Sequence, residues 1–140
     1  MTLIRFRDDA AHEEPAGTLD DFLGQTNATA VRLEAGEDAR ALLPHLNRLA
    51  LIEIAFPTFR DGRGYSAARI LREAGYAGEL RAQGEILLDQ VVQYRRCGFD
   101  ALASERELDP AAVETALSRF PQVYQPAADA RAPVWRLRHG

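Results

Sequence analysis

A mixed α/β fold built on a mostly parallel sheet is predicted by three observations. Short apolar runs alternate with segments of helical period, the runs recur about every 20–30 residues, and the loops between them are short. The middle of the chain therefore reads βαβαβαβα, with helices covering the sheet through right-handed crossovers. Four consecutive β/α units also equal half of a barrel, so a half-barrel-like curl completed by a partner subunit stands beside the open sheet. At 140 residues the chain is expected to form a single α/β domain with a core of its own. Residues 1–28 would supply an N-terminal strand and arm, and residues 126–140 a C-terminal tail or edge strand.

Each element has a local reason. Thr2–Phe6 alternates as a short strand, and the acidic, Ala/Gly/Pro-rich stretch from Asp8 to Thr18 reads as a loop or arm. Leu19–Leu23 makes one helical turn before Gly24, and Thr29–Leu33 is the next strand. Glu37 and Asp38 favour a helix start through the macrodipole; Leu42, Leu46 and Leu49 share a face, with Pro44 inside the pattern as a kink or second start. Ala50–Ala55 is a nearly continuous apolar run suited to burial on both faces. Ser66 is the expected N-cap of a helix carrying Ala67, Ile70, Leu71 and Ala74, stopped by Gly75. Glu79–Ala82 is a short strand; a helix from Glu85 aligns Leu87, Val91 and Tyr94 and ends at Gly98. Phe99–Leu102 reads as a fourth parallel strand. Asp109 and Pro110 open a last helix with Val113, Ala116, Leu117 and Phe120 on one face, closed by Pro121. Val134–Arg138 is a candidate edge strand.

Composition excludes several kinds of function. A net charge of −4 argues against gripping nucleic acid as the main task. No apolar run approaches the roughly 20 residues that span a bilayer, and the start of the chain lacks the apolar core of a signal peptide. A cytoplasmic protein is expected, with no membrane and no nucleic-acid partner. Cys97 stands alone, so neither an intrachain disulfide nor a cluster held by one chain's cysteines is available. It is read as a small core residue. His12, His45 and His139 show no zinc spacing, and no metal or cofactor is assigned. All 17 basic residues are arginine, which removes Schiff-base chemistry and a Walker-type lysine.

The chemistry concentrates in one stretch. In a parallel sheet the strand-to-helix loops share the carboxyl edge, where open α/β proteins bind ligands. Arg60, Asp61, Arg63, Tyr65, Gln83, Glu85, Ser104 and Arg106 gather there. Within Arg60–Ser66, Gly62 and Gly64 permit close backbone approach, while Arg60, Arg63 and Arg69 offer planar forks to an oxyanion. Tyr65 and Ser66 complete the expected anion-binding set. A second reading stays open, in which Asp61 pairs with one of these arginines and merely tightens the loop. Gly62-x-Gly64-x-x-Ala67 is formally a dinucleotide fingerprint, but five residues separate Phe56 from its first glycine, where a tight turn is needed. Gln83 and Glu85 are possible rim partners, as substrate-orienting group or general base; alternatively, Gly84 makes a turn and Glu85 complements a helix dipole. Trp135 with Arg136 and Arg138 suggests an edge or contact surface for a homodimer or a reductase; equally, Trp135 closes the monomer's own core.

Phe56–Ser66, Gly78–Ala82, Asp89–Gln90 and Tyr94–Asp100 closely resemble a bacterial family, domain of unknown function 934. The Asp-Gly-Arg-Gly-Tyr-Ser and Arg-Arg-Cys-Gly-Phe-Asp blocks carry the resemblance, which covers roughly Ala30 to Tyr124. Members of that family are labelled as oxidoreductases of sulfite reduction, with genes beside assimilatory sulfite reductase. Some carry lysine in the Phe-Pro-x-Phe segment where this chain has Thr58. The resemblance implies a sulfite-assimilation context and a reductase component as partner; it brings no catalytic residues. The expectation is an accessory protein that binds an oxyanion or a reductase component. A small oxidoreductase with a borrowed or nicotinamide cofactor, and a purely structural partner, are the alternatives.

Overall fold

The apolar runs pair as the sequence predicts, in a mixed, mostly parallel sheet with helices packed on it. The computed structural model describes residues 2–7, 16–25, 27–58, 62–119 and 136–139, the last four as main chain only. Its strands are β1 (Thr2–Arg5), β2 (Gly17–Thr18), β3 (Ala30–Leu33), β4 (Leu51–Phe56), β5 (Glu79–Gly84), β6 (Ala101–Ser104) and β7 (Arg136–His139). They lie side by side in the order β2-β3-β4-β5-β6-β1-β7. From β2 to β6 every pairing is parallel. β1 then runs antiparallel to both β6 and β7.

That ending bears on the half-barrel. A barrel half would continue through the β6 edge, and β1 occupies it. The N-terminal strand is therefore an inner strand, whereas β7 is the edge. Trp135 and the acidic arm from Asp8 to Pro15 lie outside the described residues.

The helices are α1 (Leu19–Leu23), α2 (Arg63–Glu73), α3 (Val91–Arg96) and α4 (Pro110–Ser118). Two are capped as their sequences suggest: Thr18 accepts from the Asp21 amide at the start of α1, and Asp109 accepts from the Ala111 amide ahead of Pro110. Stops fall at Gly75 and Gly98, both with positive φ.

Four local expectations are corrected. The segment after Asp38 is a ten-residue 3₁₀-helix, Ala39–Arg48, and not an α-helix. Pro44 cannot donate and would crowd the carbonyl four residues back, which penalises an α-helix there. The buried pair Ala39 and Leu42 recurs at the three-residue turn of that helix. α2 begins at Arg63, so Ser66 is not its cap but sits a turn inside. β5 runs on to Gly84, and a 3₁₀ turn, Leu88–Gln90, precedes the short α3 in place of a helix from Glu85. β6 starts at Ala101, two residues after Phe99.

Strand alternation divides the sheet into two chemically different faces. Val31, Leu33, Ile52, Ile54, Phe56, Leu80, Ala82 and Leu102 join Phe22, Leu42, Leu71, Tyr94 and Val113 from the helical segments in one core cluster. Because strands β2 to β6 follow in sequential order, right-handed crossovers place these helices on one side. The intervening residues Arg32, Glu53, Arg81 and Gln83 lie on the opposite face.

Candidate functional site

The carboxyl ends of β3 to β6 align, and with them the loops the sequence singled out. Gly62 is the N-cap of α2, and among the described residues no side chain caps its first turn. The Tyr65 amide donates back to the Gly62 carbonyl at 3.2 Å, closing that turn. Arg63 is exposed, and its guanidinium lies over Gly36 in the loop after β3, where an added β-carbon would meet Nη1 at 2.9 Å. Two neighbouring loops thus converge on one cation and one helix start. Arg60 and Asp61 lie outside the described residues.

The remaining predicted residues divide. Ser66 is exposed on α2, close behind Arg63. Arg69 is exposed and lies six residues beyond Arg63, about 9 Å along the helix axis and about 120° around it. Gln83 is not an unengaged rim group: its Oε1 accepts from Arg32 Nη2 at 2.8 Å on the polar face of the sheet. The Glu85 amide donates to the Phe56 carbonyl at 3.1 Å; its half-buried side chain precedes the 3₁₀ turn and so does not complement the first turn of α3. Ser104 Oγ accepts from the Arg106 amide at 3.1 Å and donates to the Ile86 carbonyl, fixing the last loop.

Beneath the rim sits a group of aromatic rings. Phe56 contacts Tyr65, Tyr94 and Phe99 with centroids 5.2, 4.9 and 5.6 Å away, and Tyr65 packs on Tyr94 at 5.1 Å. Two glycines admit Phe56. A β-carbon on Gly64 would enter the Phe56 ring, and one on Gly84 would strike the Phe56 carbonyl oxygen at a φ of +134° that other residues rarely adopt. Gly64 therefore faces the core, whereas the second glycine of a dinucleotide fingerprint lets the backbone approach a pyrophosphate. The hydroxyls of Tyr65 and Tyr94 are buried beside each other and make no well-formed hydrogen bond to any other described group. Burial pushes both phenols up, Tyr94 the further, and at Tyr94 the neighbouring Tyr65 hydroxyl adds to the effect ahead of the Glu85 charge.

The sequence reading missed a ladder of ion pairs on the polar face. The third residue of each of β3, β4 and β5 is charged, and the register places Arg32 beside Glu53 and Glu53 beside Arg81. Arg32 Nη1 donates to Glu53 at 2.8 Å, and Arg81 Nη1 lies 3.9 Å from the other Glu53 oxygen. At one end, Arg32 Nε donates to Glu34 at 2.7 Å; at the other, Arg81 Nη2 donates to Glu79 at 2.8 Å. Arg5 Nε donates to the second Glu79 oxygen at 3.1 Å. The usable signal was the shared position of Arg, Glu and Arg in three successive strands.

A family model described as a bacterial protein of unknown function (DUF934) matches residues 30–135. The chain belongs to that family. The matched span includes the whole rim and every member of the ladder except Arg5, while β1 and β7 lie outside it. No curated protein and no solved structure matches the chain.

The Arg-Arg-Cys-Gly-Phe-Asp block is structural in its placement, at the amino edge and away from the rim. Arg95 is buried, donates to the Phe99 carbonyl at 3.3 Å and lies over the Phe6 ring. Cys97 is buried, as a core residue should be. Asp100 accepts from the Leu80 amide at 2.8 Å, from Arg7 at 2.7 Å and from Arg72 at 3.0 Å. Burial pushes the Asp100 carboxyl up, against the pull of Arg72 and Arg7. Arg72 also donates to the carbonyls of Tyr76, Gly78 and Gly98. Among the described residues no group of three His, Cys, Asp or Glu side chains is placed to hold a metal ion, and no helix is long and apolar enough to cross a membrane.

Proposed function

We propose that the chain is an accessory protein of assimilatory sulfite reduction that holds a small tetrahedral oxyanion at the carboxyl edge of its sheet. One observation carries the anion reading. α2 starts on Gly62 with no side-chain cap among the described residues, whereas Thr18, Asp38 and Asp109 cap the helical segments they precede; α3, which also starts uncapped, is only six residues long. The start of α2 turns its first-turn N–H groups toward the loop, the Tyr65 amide being already bonded to the Gly62 carbonyl, and the helix dipole there favours a negative charge. Arg63, held over Gly36, adds a planar fork beside those amides. Arg60 is adjacent in sequence. The sulfite context rests on the family resemblance, as does a sulfite reductase component as the partner. The β7 edge is the surface on which that partner, or a second copy of the chain, would add.

Titration of the labelled protein with sulfite and with sulfate is expected to move the amide resonances of Gly62, Gly64 and Tyr65. Stationary resonances would overturn the anion reading and leave a structural partner role. Arg63→Ala should weaken binding by about 1.5–3 kcal/mol, the loss of a charge-assisted hydrogen bond.

A further inference from the structure

A second surface lies on the helical side, away from the rim. α3 and α4 follow adjacent parallel strands, pack side by side and run in the same direction. Between them is an open groove of about 1110 Å³. Leu87, Leu88, Val92, Ala112 and Ala116 supply its apolar surface. Leu88 is 38% exposed, one of the few large hydrophobic side chains left in that state.

The charged residues of the groove are sorted by end. Asp89 and Asp109 lie where the two helical segments begin, and Arg96 and Arg119 lie where they finish. All four are exposed. The groove is thus apolar along its floor, acidic at one end and basic at the other.

We propose that this groove docks an amphipathic helix of a partner protein, running antiparallel to α3 and α4. In that direction the partner's first turn meets Arg96 and Arg119, and its last turn meets Asp89 and Asp109. Helices favour acidic residues in the first turn and basic residues in the last, so the charge order that suits the groove also suits the incoming helix. Leucine-type side chains at i, i+3, i+4 and i+7 fill the floor. The parallel orientation would oppose like charges at both ends. The nine residues of α4 set the extent of contact at about two and a half turns.

The test uses the full chain and two synthetic helical peptides of about 14 residues, identical in their leucine stripe. One carries Glu in its first turn and Lys in its last; the other has these charges exchanged. The first peptide is expected to bind and to perturb the resonances of Leu88, Val92, Ala112 and Ala116, with the second at least about tenfold weaker. Leu88→Glu, at an exposed position, should reduce binding of the first peptide by at least about tenfold while the unfolding midpoint is retained. Asp89→Arg should narrow the preference between the two peptides. Failure of both peptides to bind, or equal affinity for the two, overturns the proposal. It is equally overturned if the protein is a dimer that Leu88→Glu dissociates, since the occupant is then a second copy. Nuclear Overhauser contacts in the free protein between the Leu88 and Val92 methyls and residues 120–135 would also overturn it, assigning the groove to the chain itself.

Discussion

Arg5 reaches across β6 to Glu79 on β5, its Nε 3.1 Å from the carboxylate. The residue between them is Ala101, which pairs with Arg5 on one side and with Arg81 on the other. A methyl group at that position leaves room for the guanidinium to pass. The pair is sealed from water, with Arg5 fully buried and Glu79 3% exposed. It ties the first strand of the chain to a sheet that otherwise grows by sequential β/α units.

Breaking this pair from one side should be costly. Glu79→Ala leaves two guanidinium groups, Arg5 and Arg81, without their shared acceptor. The expected loss is about 3–5 kcal/mol of unfolding free energy, measured by urea denaturation. The double variant Arg5→Met/Glu79→Leu should recover part of that loss, because it also removes the fully buried Arg5 charge, while Arg81 keeps Glu53 at 3.9 Å. A single variant as stable as the parent would show that the ladder is not energetically coupled.

Gly64→Ala should destabilise the protein by about 1–3 kcal/mol through overpacking against the Phe56 ring. Gly62→Ala should be milder, since no described residue lies within 4 Å of a β-carbon there. Thermal melts of the two variants distinguish a packing role for Gly64 from a general loop requirement for glycine.

Tyr94→Phe is expected to change stability by no more than about 1 kcal/mol, because the hydroxyl it removes is buried with only the Tyr65 hydroxyl beside it. The pH dependence has a definite sign. Burial holds the folded phenols of Tyr94 and Tyr76 above their ordinary value of 10.0, so the unfolded state loses those protons first. Their contribution is fully present below about pH 10 and is lost as pH rises through the folded values. Stability should therefore fall above pH 10, less steeply in Tyr94→Phe. Phenolate absorbance from Tyr94 appearing while the protein is still folded would contradict the burial.

Cys97 should be inert in the native state. Its thiol is buried and accepts a weak bond from Gln93 Nε2 at 3.6 Å. Cys97→Ala should leave any sulfite-linked phenotype intact, and a thiol reagent should label the parent protein only as fast as it opens. Rapid labelling under native conditions would refute this.

Local pattern was sufficient wherever one element decided the outcome. The apolar run Ala50–Ala55 and the helical period from Ala67 to Ala74 specify a strand and a helix, Asp109 with Pro110 marks a helix start, and a lone cysteine beside Gly98 reads as core. The sequential apolar runs also imply the parallel sheet and the common rim of loops. Contacts between elements were not legible in the same way. Glu53 looked like an interruption in an apolar run, and only the register with Arg32 and Arg81 makes it the centre of an ion ladder. Ser66 had the chemistry of a cap, yet α2 starts earlier, with Gly64 packed under Phe56 and Tyr65 against Tyr94. Gln83 belonged to the rim by position and to the polar face by pairing with Arg32. The physical reason is common to all three. Periodicity and capping are set by neighbours within a few residues, whereas strand register and ring packing join residues far apart in the chain.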